Sequence, residues 1–200
     1  MDKQENAYFF QRVIAFIIDM IIVGIISSLL STPFVNVSTV EKLSAESNKV
    51  ATEYMSGKID VKTYLNQSVD ISYEMARSNG ISTIIEIVML ILYFVIYQFY
   101  NNGQTLGKKL MKIKVISSDS AELIMNQIII RSLIVNFILV DMIILAFTIF
   151  ANKDVYFYAV SVFEGLQYLI IIISIFMILC SSNRTGIHER LSHTRVIKLV

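Results

Sequence analysis

Four long apolar runs, 13–34, 81–100, 128–150 and 155–180, constrain this chain more than any other feature. Each reaches the roughly 20 residues that a helix needs to cross the hydrocarbon core of a bilayer. Composition agrees: of 200 residues 55% are hydrophobic and 16% charged, and the mean hydropathy is +0.64, too apolar for an ordinary soluble domain. The sequence therefore predicts an all-α membrane protein, a bundle of four transmembrane helices forming one domain over 1–200. The first run is longer than a secretory h-region and ends in Ser31-Thr32-Pro33-Phe34 without a small-x-small cleavage site. It reads as a retained helix with Pro33 at its outer end.

Orientation follows from the lysines and arginines outside the runs. The loop 101–123 carries Lys108, Lys109, Lys112 and Lys114, and the tail 181–200 carries Arg184, Arg190, Arg195 and Lys198. Both should face the cytoplasm, which puts both termini inside and the loop 35–80 outside. That outer loop has apolar positions at helical spacing, Val40, Leu43, Val50 and Tyr54 before Gly57, then Val61, Tyr64, Leu65, Val69 and Met75 after Asp60. The pattern predicts a helical hairpin turning near Gly57. On the inner side, Lys112 to Ile116 and Thr194 to Lys198 alternate with period two. They read either as a short β-pair or as two separate basic stretches touching lipid headgroups.

Five ionisable side chains, Asp19, Glu86, Arg131, Asp141 and Glu164, fall inside the apolar runs, where each costs about 2.5–3.5 kcal/mol to insert. They should face protein or water. A rise of about 1.5 Å per residue sorts the charges into two layers. Arg12, Asp19 and Arg131 lie in the cytoplasmic half, where the two arginines are expected to pair with the aspartate. Glu86, Asp141 and Glu164 lie on the order of 7–14 Å below the outer surface, with no basic residue of these helices at that level. There the acids must hold protons, share water or bind a cation. Asp19, Glu86, Asp141 and Glu164 are thus the candidate transport or ion-binding residues, the three outer acids being expected to converge. The alternative role is structural, as protonated carboxyls hydrogen-bonding between helices.

Other chemistries find little support. A net charge of +1 gives no basic excess for nucleic acid. One cysteine, Cys180, and two histidines, His188 and His193, supply no zinc-type ligand set, so no metal site or cofactor is expected, and both histidines read as solvated. No Ser-His-Asp order, phosphate-binding glycine loop or metalloprotease signature is present, so no catalytic residue is assigned.

Three segments carry a resemblance. The first is Arg12-Val-Ile-Ala15-Phe-Ile-Ile-Asp19; the second is Gly103-Gln-Thr105-Leu-Gly107-Lys108 running on to Val115, then Arg131 and Asp141; the third is Gly186-Ile-His188-Glu189 through Thr194-Arg-Val196. Together, in this order, they resemble the RDD family of small bacterial membrane proteins, named for one arginine and two aspartates. The match singles out Arg12, Asp19, Gly103, Thr105, Gly107, Lys108, Arg131, His188, Glu189 and Thr194. Glu189 stands where the family usually has aspartate and His193 where glycine is common, which leaves open whether Asp141 or Glu189 represents the second aspartate. The resemblance implies a multi-pass protein of the bacterial cytoplasmic membrane with transport of an unidentified ligand as the suggested role.

The expected function is movement of a monovalent cation or proton through a polar intramembrane site. The alternative is a non-transporting assembly or regulatory component. The expected partners are the lipid bilayer, the ion, and a second copy or another membrane protein.

Overall fold

The computed structural model describes residues 5–119, 122–181 and 184–199. Three helical stretches are long and apolar enough to span a membrane, Phe9–Phe34, Gly80–Tyr100 and Lys153–Cys180. The first comprises α1 (Phe9–Ser31) and a 3-10 turn at Thr32–Phe34 containing Pro33. Along α1 the buried face is Ala15, Asp19, Val23 and Ser27, recurring every four residues. Phe10, Ile14, Ile17, Ile21 and Ile25 are exposed on the opposite face. A helix that is apolar outside and more polar inside suits lipid as its solvent.

The outer loop forms the expected hairpin, α2 (Val37–Met55) and α3 (Val61–Ser78), capped at its starts by Asn36 and Asp60. Gly57 turns it with φ +72, a conformation that L side chains resist. Leu43, Val50 and Ile71 make its small core, and Tyr54 stacks on Tyr64 at 4.6 Å. Val61 and Leu65, part of the same apolar spacing, are exposed, and α3 also packs against α9. Tyr73 Oη donates to the Ala151 carbonyl at 2.7 Å, fastening the hairpin to the bundle.

Two of the predicted spans are not straight α-helices. After α4 (Gly80–Ile91) the backbone widens into a π-helical segment, Leu92–Tyr97, before α5 (Gln98–Tyr100). The run expected as one span over 128–150 is a pair, α7 (Met125–Val135) and α8 (Ile138–Phe150), bent by 63°. The break sits at Phe137, which is left-handed with φ 60. Both irregularities free backbone carbonyls that lipid cannot satisfy, and both are repaired by side chains. Ser132 Oγ donates to the Phe94 carbonyl at 2.9 Å, and Gln167 Nε2, on α9 (Lys153–Cys180), donates to the Ile134 carbonyl.

The inner loop and tail settle the question of the basic stretches. β1 (Ile113–Ser117) and β2 (Thr194–Lys198) pair antiparallel with Val115 opposite Val196. The N-terminal segment joins this sheet, Ala7 N donating to the Val196 carbonyl and Lys198 N to that of Glu5, each at 2.9 Å. Short helices α6 (Leu106–Leu110) and α10 (Ile187–Leu191) precede the two strands. The sheet therefore ties the first, second and last segments of the chain into one plug at the inner end of α1, over a core of Ala7, Ala15, Ile113, Val115 and Val196.

Candidate functional site

Asp19 is 1% exposed and held from two directions. Its Oδ1 accepts from Tyr93 Oη at 2.6 Å and from the Gly107 backbone N–H at 2.7 Å. Its Oδ2 accepts from Thr105 Oγ1 at 2.5 Å. Charge-assisted bonds of this kind run short and are stronger than neutral ones. Thr105 caps α6, and Gly107 follows on the same turn, so the loop motif is shaped to deliver one hydroxyl and one N–H to a carboxylate on α1. Gly107 is required by space. A Cβ there would stand 2.2 Å from the Ala15 carbonyl oxygen and 2.9 Å from Asp19 Cγ.

The expected pairing of Arg12 and Arg131 with Asp19 is corrected. Arg12 Nη1 bonds both carboxylate oxygens of Glu189 at 2.9 Å, and Arg131 Nη1 lies 3.6 Å from Glu189 Oε1. Arg131 Nη1 also donates to Thr194 Oγ1 at 3.2 Å. Glu189 is wholly buried and takes a further bond from the Gly186 N–H at 2.8 Å. Counting depth along each helix placed the arginines and Asp19 in one layer; it could not see that the plug inserts a carboxylate between the arginines. Glu189, not Asp141, thus occupies the arginine cluster.

Between the Asp19 clasp and the Arg12–Glu189–Arg131 cluster lies a cavity of about 310 Å³. Val13 and Phe16 of α1 form one wall and Ile171, Ile175 and Ile178 of α9 the other. Its polar lining includes Asp19, Gln98, Lys108, Arg131 and His188. Lys108 keeps some exposure as a residue, but its ammonium end is enclosed. Nζ donates to Gln98 Oε1 at 3.1 Å and Thr105 Oγ1 at 3.3 Å, both neutral, and sits 5.8 Å from the Phe94 ring centre. Burial pushes this ammonium down to about 7, with Arg131 repelling it and Asp19 opposing the shift. His188, expected to be solvated, instead shares a 2.8 Å hydrogen bond between Nδ1 and Ser174 Oγ. Burial, then the two arginines, hold it well below the usual imidazole range, so it faces the cavity uncharged. His193 is exposed and meets Asp119.

The outer acids are placed differently from one another. Asp141 on α8 and Glu164 on α9 are partly buried, while Glu86 occupies an exposed face of α4. Glu86 and Glu164 both lie within electrostatic range of Asp141. Tyr93 is engaged with Asp19 and Gln167 with the α7–α8 break. Among the described residues, no group of three or more His, Cys, Asp or Glu is arranged to hold a metal ion.

Sequence reasoning passed over Gln98, Ser132 and Ser174. Each is a polar residue within an apolar run, now 2%, 1% and 4% exposed, and that mismatch with lipid was the available signal. Gly103, the remaining loop-motif residue, has φ +82 and lies so close to β1 that a Cβ would meet the Val115 carbonyl at 2.1 Å.

Compared with known proteins, the chain matches the model of the RDD family over residues 6–193. No curated protein and no solved structure matches it.

Proposed function

This chain belongs to the RDD family, and on that premise we propose that it exchanges a monovalent cation for a proton, with Asp19 and Lys108 as the exchanging pair. The supporting observation is that an enclosed lysine whose acceptors, among the described residues, are neutral faces the same cavity as a buried carboxylate. Below about pH 7 the lysine carries its proton and compensates Asp19; above that value it is neutral and the carboxylate needs another cation. Cation occupancy should therefore rise with pH through that point. Asp141, with Glu86 and Glu164 in range, extends the acidic path toward the outer surface. The π-helical segment and the broken α7–α8 span are the kind of discontinuity that accompanies intramembrane sites. No catalytic step belongs to this reading.

The test is proton movement, followed with a pH-sensitive dye, in liposomes containing only this protein. A sodium or potassium gradient should drive it faster on the alkaline side of Lys108's value than on the acid side. Asp19→Asn should reduce it more than tenfold, Lys108→Met should flatten its pH dependence, and Asp141→Asn should slow it without loss of folded protein. Absence of flux from the native protein would overturn the reading.

A second reading is favoured by the exposed Met55, Val61 and Leu65 on the outer hairpin, apolar side chains suited to a protein partner. A stoichiometric partner co-purifying with a chain that supports no flux would select it.

We further propose a cytoplasmic-membrane location with both termini inside. Cysteines placed at Lys49 and Lys58 should react with an impermeant reagent in intact cells, and those at Lys109 and Arg195 should not. The reverse pattern would invert the topology.

A further inference from the structure

The cavity between α1 and α9 has a chemistry that ion movement does not use. Its walls are apolar, while the polar groups left open at its inner end are donors. Gln98 is 2% exposed, and its Nε2 is a buried donor with no hydrogen-bond partner among the described residues. Its other atom, Oε1, is already committed to Lys108, which fixes the amide with the N–H2 group as the free end. A buried donor left without an acceptor is costly, so the site favours a ligand that supplies one. Arg131 adds to it: among the described residues only Nη1 of its three nitrogens is engaged, and the side chain lines the same cavity.

Charge points the same way. Arg12 and Arg131 share the single carboxylate of Glu189, so the cluster retains one positive charge. Asp19, the acidic residue of the cavity lining, has both oxygens already occupied by donors. The walls, by contrast, are Val13 and Phe16 facing Ile171, Ile175 and Ile178, and they run along two membrane-spanning helices. At about 310 Å³ the space falls at the low end of small-molecule sites. It can take a headgroup and the first part of one chain, the remainder lying along α1 and α9 in the bilayer.

We propose that this cavity binds an anionic phospholipid of the adjoining leaflet, its phosphate oxygens accepting from Gln98 Nε2 and Arg131 and one acyl chain lying between α1 and α9. A phosphate satisfies both observations at once, since it supplies acceptor oxygens for the orphan amide and a negative charge for the unbalanced arginine. A zwitterionic lipid of the same chains supplies the oxygens and the contact with the walls but no net charge.

Native mass spectrometry of the full-length protein, released from detergent in the presence of equal amounts of dioleoyl phosphatidylglycerol and dioleoyl phosphatidylcholine, tests this without any ion gradient, so it stands or falls separately from the flux experiment. One phosphatidylglycerol should be retained at least tenfold better than phosphatidylcholine. Gln98→Glu keeps the acceptor for Lys108 but puts a carboxylate oxygen where the free N–H2 group was; it should remove that preference. Ile175→Trp, which fills the space between the walls, should reduce retention of any lipid. Circular dichroism confirms that each variant is folded, and Ile175→Val, a smaller side chain at the same position, should keep the bound lipid. Equal retention of the two lipids, retention unchanged in both Gln98→Glu and Ile175→Trp, or retention of added oleate in place of phosphatidylglycerol would each overturn the proposal.

Discussion

Glu189→Ala should cost about 3–5 kcal/mol of stability, the range for breaking a buried ion pair by removing one partner. The whole stability of a domain is typically about 5–15 kcal/mol, so folded yield should fall sharply. The reason is not the lost attraction alone. Arg12 and Arg131 converge on one wholly buried carboxylate, and its removal strands two guanidinium groups and leaves the Gly186 N–H without its acceptor. The comparison that isolates this cause is the double variant Glu189→Ala with Arg131→Met, which leaves one cation fewer uncompensated. It should be more stable than Glu189→Ala alone, although it removes more native groups. Glu189→Asp keeps the charge on a stem one methylene shorter and should fall between native protein and the alanine variant. Denaturant unfolding in detergent, followed by circular dichroism, measures all four. A Glu189→Ala midpoint indistinguishable from native would show that the cluster does not hold the inner end together.

Gly107→Ala should be nearly as damaging for a different reason. The added methyl group would lie 2.2 Å from a backbone oxygen of α1, and a helix backbone has no rotamer to change. Helix α6 must then lift away from α1. Overpacking of this sort costs about 1–3 kcal/mol, and lifting α6 also withdraws the Gly107 N–H and the Thr105 hydroxyl from Asp19, leaving a buried carboxylate short of donors at a further cost of about 1–3 kcal/mol or more. Gly24 and Gly165 are the controls, since a Cβ at either meets nothing within 4 Å. Alanine there should be neutral or should stabilise by about 0.5–1 kcal/mol through the lower flexibility of the unfolded chain. Equal melting of Gly107→Ala and Gly24→Ala would show that α6 does not need close contact with α1.

These two expectations lie at different distances from the sequence. The spans were readable because insertion into lipid is a local property: about 20 apolar residues suffice, whatever the rest of the chain does. The hairpin turn at Gly57 was readable for the same reason, since it depends on residues close by in the chain. The bend at Phe137 was not. Asn136-Phe137 sits within the run 128–150 that reads as a single span, and the Ile134 carbonyl freed near the break is met by Gln167, 33 residues on.

The charged residues divide along the same line. Their cost in lipid marked Asp19 and Arg131 as inward-facing, and both are buried. Their partners depended on a loop and a tail folding under the bundle. Residue counting ranks depth along a helix but carries no information on what a distant segment inserts at that depth. So Asp19 meets Thr105 and Gly107, 86 and 88 residues away, and Arg12 meets Glu189 across 177. By itself the sequence determined a membrane-spanning helical chain and the inward placement of Asp19 and Arg131, because the bilayer acts on each segment alone; Glu86, marked by the same cost, lies on an exposed face of α4. Which charge compensates which, and the cavity that opens between α1 and α9, were decided only when the two-stranded plug brought the N-terminus, the inner loop and the tail to one place, since pairing is a property of contacts between segments.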